Sequence, residues 1–300
     1  ELHSMHALGV RGVRFNLVSP VGNGAQAMQA LAPRLKALGW HVQWYAAPAQ
    51  LAQIAQIKQK LAAHNKRLIM LPLPMKVDVY AAHAERAVDP RAISLYDRFV
   101  AGLQAQQVEV TPLREAFLKN LAGPKLFLKS DTHWSPEGAR LTAYELARQH
   151  PELLGDEVYV SHKVTEKTVK GDLMNYIQFN HAQLAPQYGP AQIALYETLK
   201  AEQNADALFA DEEQSLLLVG TSYSKIDDWN FTGFLKEALN RDLLSVAVEA
   251  RGPFEAMNQF LASDDLSNPQ IDTVVWEFPL RTLLAHRLGS LSRPGQSQHF

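Results

Sequence analysis

Two short stretches carry residue types that can do chemistry together. In Asp131-Thr132-His133-Trp134 a carboxylate stands two residues before a histidine. Residues i and i+2 of an extended segment point to the same face, so Asp131 can accept a hydrogen bond from one ring nitrogen of His133. That bond fixes the tautomer and leaves the other nitrogen free as a base. In Gly220-Thr221-Ser222-Tyr223-Ser224 a serine follows the apolar run Ser215 to Val219, where a strand should end. Acid, histidine and serine are together the parts of nucleophilic acyl transfer. Each stretch is weak alone. An Asp–His pair is commonly a surface pair in a loop, and a serine after a strand commonly caps the next helix. Ser224 is a rival nucleophile or a cap, and Tyr223 is a core aromatic or a substrate contact.

Composition narrows the alternatives. The chain has no cysteine, which excludes disulfides, thiolate catalysis and cysteine-ligated metal sites. Its net charge of −2 supplies no global basic field, so nucleic acid is not an expected partner. With 47% hydrophobic and 20% charged residues, a packed domain is expected rather than a disordered chain. The richest apolar run, Leu68 to Met75, is interrupted by Pro72 and Pro74 and is far shorter than the roughly 20 residues of a bilayer span. His150, His162, His181 and His286 show no zinc-ligand spacing, and His3 and His6 lie near a terminus, so no metal or cofactor is expected.

The candidate residues must be positioned by the elements around them. Residues 1–40 are loosely patterned except for a helix from Ala25 to Leu38, stopped by Gly39. A strand over Trp40 to Tyr45, a helix over Leu51 to His64 and a buried strand over Arg67 to Leu73 follow. Further on come a helix from Arg91 to Gln106, a short strand at Val108 to Val110, a helix from Leu113 to Leu121 and a short strand at Leu126 to Leu128. Ser135-Pro136-Glu137 reads as an N-cap, a proline at the first helical position and a first-turn acid, opening a helix to about Gln149. Asp131 and His133 are thereby placed in a strand–helix loop.

From about Leu154 to Ala210 the pattern loosens, and the alternation over Val158 to Thr168 marks a hairpin or inserted β segment. After Ser215 the rhythm returns, with strands at 215–219, 243–248 and 272–276 and helices from about Asn230 to Asn240 and Phe254 to Leu261. Strands alternating with helices argue for a parallel sheet covered on both faces, with its site at the strands' C-terminal ends. Ser222, Arg251-Gly252 and Glu277 each follow such a strand and are expected to line one rim.

The motifs also resemble the alginate O-acetyltransferase group of SGNH-like hydrolases, the AlgJ and AlgX proteins. The stretches that carry the resemblance are DTHWSPEGA at 131–139, LLLVGTSYS at 216–224, WNFTGFLKEAL at 229–239, RGPFEAM at 251–257 and VVWEFPLR at 274–281. They fall in the family's order over much of 126–281, whereas the first 65 residues or so match little. The resemblance implies an SGNH-like three-layer α/β/α sandwich with a mainly parallel sheet and a permuted motif order. It implies one domain over 1–300, with 1–65 as its less certain N-terminal part and an inserted region at about 154–210.

By this match Ser222 is the nucleophile, His133 the general base and acid, and Asp131 its orienter. The motifs G-T-S and D-x-H replace the G-D-S and D-x-x-H of the wider SGNH pattern, as in the alginate branch. The oxyanion-hole asparagine of ordinary SGNH enzymes has no evident counterpart. Glu277 sits near its expected place, but a carboxylate repels an oxyanion, so Glu277 reads as structural, paired with Arg281. The backbone N–H groups of Ser222 and Gly252 are the alternative donors. Arg251 either binds substrate or caps a strand end, and Trp134, Trp229 and Trp276 form either a sugar-stacking platform or core.

The function so implied is O-acetylation of alginate through an acetyl-serine, with acetylesterase activity. A deacetylating esterase and a non-catalytic scaffold or acetyl relay are the alternatives. No cysteine, and only 19 residues after Arg281, favour the AlgJ-like branch over AlgX-like members with an added carbohydrate-binding module. The resemblance also implies periplasmic location, anchored to the inner membrane by an N-terminal segment absent from this chain. Its implied partners are a membrane acetyl exporter as the source of the donor, alginate or a second acetyltransferase as acceptor, and other alginate-assembly proteins.

Overall fold

The computed structural model describes residues 2–10, 12–16, 25–45, 47–84, 87–88, 90–176, 189–201, 216–249 and 251–284. Two compact units emerge, one of Glu1–Gln53 with Leu280–Phe300 and one of Ile54–Pro279. No helix among the described residues is long and apolar enough to cross a membrane.

The first unit contains α1 (Leu2–Ala7), β1 (Gly12–Asn16), α2 (Ala25–Ala37) and β2 (His41–Tyr45). β1 and β2 pair in parallel, with Gly12 beside His41 and Asn16 beside Tyr45. A small core forms around Leu35 and Trp40. The Trp40 indole N–H donates to His6 Nδ1 at 2.8 Å. α1 and β1 are too short to show a period in the sequence. Helix α3 (Ala47–Ala63) leads into the second unit.

The second unit is built on a five-stranded, fully parallel sheet. Its strands are β3 (Arg67–Leu73), β4 (Glu109–Val110), β7 (Leu216–Gly220), β8 (Leu244–Ala247) and β9 (Thr273–Pro279), ordered β4-β3-β9-β7-β8. β7 and β9 are buried along their whole length, which is why they read as continuous apolar runs rather than as alternation. Ile69, Leu71, Leu216, Leu218 and Val275 share one core with α7 (Pro136–Gln149) and α9 (Phe231–Leu239). Trp276 and Phe278 point to the opposite face, where Phe254 meets both rings and Phe99 of α5 (Pro90–Ala105) stacks on Phe278. The remaining helices are α4 (Lys76–Tyr80), α6 (Arg114–Lys119), the four-residue α8 (Ser222–Lys225) and α10 (Glu255–Ala262). A mainly parallel sheet with helices is the architecture the motifs imply.

Outside this sheet, β5 (Tyr159–Val169) and β6 (Ala191–Lys200) form an antiparallel ribbon with an irregularity between Lys163 and Thr165. The ribbon accounts for the alternation after Val158; residues 177–188 and 202–210 of that region lie outside the described residues, as does Ser215. It is tied to the segment after the nucleophile motif. Lys167 pairs with Asp228 at 2.7 Å, and Asn230 Nδ2 donates to Thr198 Oγ1 at 2.9 Å.

Two expectations are corrected. Leu126 to Leu128 is not a strand: Phe127 makes a single bridge to Trp134, because the chain turns back on itself within a few residues. Glu277 does not follow a strand but lies inside β9, which runs on to Pro279, and it is fully buried.

Candidate active site

Three loops converge at the C-terminal end of the sheet. The first precedes α7. Ser135 caps that helix, its Oγ accepting from the Gly138 N–H at 3.2 Å, and Pro136 occupies the first turn as the sequence indicates. This capped start fixes the loop from which Asp131 and His133 project. The ring of His133 donates from Nδ1 to Asp131 Oδ1 at 2.6 Å, and the His133 backbone N–H reaches the same oxygen at 2.8 Å. The carboxylate accepts only, so Nε2 is left as the acceptor. It receives the Ser222 hydroxyl at 2.7 Å. Asp131, His133 and Ser222 thus form one continuous relay, although 89 residues separate the last two.

Ser222 stands at the start of α8, directly after β7, and is half-buried. Thr221 is the N-cap, its hydroxyl accepting from Tyr223 N. Asp131 and His133 are 4% and 8% exposed, so water reaches the relay mainly at its serine end. Burial pushes the Asp131 carboxyl upward. The hydrogen bonds from the His133 ring and backbone and from the Asp172 N–H outweigh it and hold the group at about 2.

The third loop went unread in the sequence. β5 exits through Gly171 into a turn at Asp172–Tyr176. The Asp172 N–H donates to Asp131 Oδ2 at 2.9 Å, while the Asp172 carboxylate accepts from Thr132 N at 2.7 Å and Thr132 Oγ1 at 2.5 Å. The two acids therefore clamp each other's loops reciprocally. The approach requires a glycine: a Cβ at Gly171 would lie 1.9 Å from the Ser130 carbonyl oxygen. Lys76, at the start of α4, also holds this loop, donating from Nζ to the carbonyls of Leu128, of Lys129 at 3.1 Å and of Asp131 at 2.7 Å. Burial lowers the Lys76 pKa against the opposing pull of Asp131 and Asp172. Neither residue has a local signal. Lys76 and Asp172 lie 55 and 41 residues from Asp131, and only folding shows what they touch.

Aromatic packing completes the histidine's surroundings. Tyr223 lies 4.8 Å and Trp229 5.7 Å from the His133 ring, and Trp134 meets Tyr223 edge-on at 5.3 Å. Tyr223, Trp134, Trp229 and Trp276 are all buried, which supports the core reading over a sugar-stacking platform. The Tyr223 hydroxyl donates to the Thr132 carbonyl, so this side chain braces the Asp–His turn. Ser224 is no rival nucleophile: it is buried and its hydroxyl donates to Glu277. Glu277 bonds Thr221 and Ser224. Arg251 and Gly252 are exposed on the loop between β8 and α10, and no hydrogen bond joins either to Asp131, His133 or Ser222. Of the other histidines, His150 bonds Thr111, and His181 and His286 lie outside the described residues.

Asp131, His133 and Asp172 bring potential metal ligands within 4.8 Å of one another. Their geometry suits protons better. Each carboxylate already accepts N–H or O–H bonds, and the His133 nitrogens face an acid and a hydroxyl.

Comparison with known proteins places the chain in a family. Residues 42–280 match the family model described as "SGNH hydrolase-like domain, acetyltransferase AlgX". A "Probable alginate O-acetylase AlgJ" of Pseudomonas fluorescens is 35% identical over 244 residues, 77% of this chain and 61% of the relative. Its counterpart in Azotobacter vinelandii is 36% identical over 249 residues, 77% and 62% of the two chains. The chain thus spans about three fifths of the length of these curated relatives. Among solved structures, the O-acetyltransferase domain of Pseudomonas putida AlgJ superposes with a TM-score of 0.71 at 28% identity, covering 82% of this chain and 86% of that one. Pseudomonas aeruginosa AlgX shares the fold, with a TM-score of 0.61 at 19% identity over 78% of this chain and 57% of its own. With the family model matched from 42 to 280 and relatives more than a third identical over three quarters of its length, the chain belongs to the AlgX-type SGNH hydrolase-like acetyltransferase family.

Proposed function

We propose that this chain transfers acetyl groups through Ser222 and acts in the O-acetylation of alginate. The observation that carries the reading is the unbroken relay from Asp131 through His133 to the half-exposed hydroxyl of Ser222, at 2.6 and 2.7 Å. His133 Nε2 takes the hydroxyl proton as Ser222 Oγ attacks the acetyl carbonyl. The tetrahedral intermediate collapses with loss of the donor's leaving group, which receives that proton from His133. An acceptor hydroxyl then gives its proton to Nε2 and attacks acetyl-Ser222, forming the new ester and restoring the serine. Asp131 keeps the imidazole in the required tautomer and offsets its positive charge. The backbone N–H groups of Ser222 and Gly252 are the candidate oxyanion donors, and Arg251 is the candidate substrate contact. Water can replace the acceptor, so acetylesterase activity accompanies transfer.

The names of the AlgJ relatives support alginate as the polymer. The similarity to proteins named "Alginate biosynthesis protein AlgX" supports other alginate-assembly proteins as partners. In this reading a membrane acetyl exporter supplies the donor, the acceptor is alginate or a second acetyltransferase, and the domain works in the periplasm tethered to the inner membrane. Intact mass spectrometry after exposure to a small acetyl ester tests the covalent step. One added acetyl group, mapped to Ser222 and absent from Ser222→Ala, is expected. Undiminished ester turnover by Ser222→Ala overturns the mechanism. Comparing hydrolysis with transfer to an alginate oligomer then separates a transferase from an esterase.

A further inference from the structure

We propose that Glu277 is a positioning residue for the nucleophile: reaching over from the central strand β9, its carboxylate fixes the turn that carries Ser222 and sets a negative charge behind the Ser222–His133 pair. The proposal rests on the acyl-transfer reading above. It starts from a carboxylate that the relay does not use and that is wholly buried in the sheet. Glu277 Oε2 accepts the Thr221 N–H at 2.7 Å and the Ser224 hydroxyl at 3.0 Å, and the Thr221 hydroxyl lies 3.0 and 3.1 Å from its two oxygens. The residue just before Ser222 and the residue two after it are therefore tied to one side chain. Hydrogen-bonded pairing of β7 with β9 ends at Val219 and Trp276, so beyond that point Glu277 takes over from the ladder.

This arrangement explains the motif Gly220-Thr221-Ser222-Tyr223-Ser224 position by position. A Cβ at Gly220 would lie 2.3 Å from Ser224 Oγ and 3.0 Å from Glu277 Oε2, so only glycine leaves room for the contact. Thr221 and Ser224 supply donors to the carboxylate. Tyr223 braces the Asp–His loop. Ser222 presents its hydroxyl to His133 Nε2.

Burying a charge is costly, and well-packed neutral residues commonly serve stability better. What the ionised carboxylate adds here is stabilisation of the imidazolium that forms as Ser222 attacks. His133 is an ionisable neighbour whose field acts on Glu277; the nucleophile turn contributes neutral hydroxyls, and Leu71 stands beside Glu277 on β3. Burial pushes the Glu277 carboxyl up to about 7, against the donors from Thr221 and Ser224 and the field of His133. Its charge is accordingly gained or lost near neutral pH.

The test combines Glu277→Gln and Ser224→Ala in the intact chain, read by acetyl-ester turnover across pH and by amide hydrogen exchange. In Glu277→Gln, kcat is expected to fall by about 10-fold or more with KM little changed, because a small misplacement of the nucleophile is costly. Exchange protection of the Thr221 amide should fall with it. In Ser224→Ala the carboxylate loses a donor, so the acid limb of the kcat profile should move to higher pH, a change that mere loosening of the fold would not give. Wild-type kcat and pH profile in Glu277→Gln overturn the proposal, as does an unmoved acid limb in Ser224→Ala should Glu277→Gln fail to fold. If the wild-type protein turns over no acetyl ester, the acyl-transfer reading falls. Thr221 exchange then still decides whether Glu277 holds the turn, and unchanged protection in Glu277→Gln overturns it.

Discussion

The molecule contains two relays of the same connectivity. In one, Asp131 bonds His133, which bonds Ser222. In the other, Glu152 Oε1 lies 3.2 Å from His150 Nδ1, and His150 Nε2 lies 2.9 Å from the Thr111 hydroxyl. Both histidines are buried and both acids sit two residues away. The difference lies at the ends. Thr111 is wholly buried after β4, its N–H donating to the Met70 carbonyl at 2.9 Å, so no substrate reaches its hydroxyl. Its acid faces outward instead, where the Arg67 guanidinium holds the Glu152 carboxyl down at about 2. In the Ser222 relay the acid is buried and the hydroxyl is presented on a sharp turn. Connectivity alone therefore does not make a nucleophile. Access to the hydroxyl, and an acid buried away from water, distinguish a reactive relay from a structural one.

The contrast is most directly broken at the hydroxyls. Ser222→Ala is expected to reduce acetyl-ester turnover on the order of 10⁶-fold, whereas Thr111→Val should leave kcat unchanged. Asp131→Asn should come next, at up to roughly 10⁴-fold when the tautomer is lost; Glu152→Gln should leave turnover intact. Steady-state kinetics on the four variants settles both comparisons, and a turnover defect in Thr111→Val would end the distinction. Gly171→Ala should cost less, about 10²-fold in kcat, because the Cβ must displace the Ser130 carbonyl and with it the Asp131–Asp172 clamp. A crystal structure of that variant should show the Asp172 N–H withdrawn from Asp131.

Smaller effects concern stability. Thr111→Val leaves the buried His150 without its hydroxyl partner and should cost roughly 1–3 kcal/mol in chemical denaturation. The pH dependence separates two carboxylates. Asp131 is held below its ordinary value, so its contribution to stability is full above about pH 4 and is lost as pH falls toward 2. Glu277 is held above its ordinary value of 4.5, at about 7. Between these two values the unfolded chain has lost the proton that the folded chain keeps, so this group's contribution declines as pH rises through that window. Melting curves from pH 3 to 8 should show an acid loss that Asp131→Asn reduces and a decline toward neutrality that Glu277→Gln removes.

Local features were legible where local physics dominates. The capped start of α7 announces itself through Ser135, Pro136 and Glu137, since capping needs only neighbours in sequence. β3, β7 and β9 are visible as apolar runs because both of their faces are covered. The short strand expected at Leu126 was a false signal of the same kind, an apolar triplet that packs without pairing. Glu277 was misplaced for the converse reason. An isolated acid near the end of an apolar run looks like the start of a loop, and its burial depends on donors from another strand's turn.

By itself the sequence determined the chemistry on offer: an acid and a histidine two residues apart, a serine after a strand, and motifs in an order that marks the family. Tertiary structure alone decided which hydroxyl meets which histidine, because Ser222 and Thr111 differ in burial rather than in type. It also brought in Asp172, Lys76 and Glu277, whose hydrogen bonds span 40 to 56 residues. The physical reason is one of range. Caps and strand faces are set by neighbours in sequence, whereas the bonds that hold a buried charge in place form only when distant segments close around it.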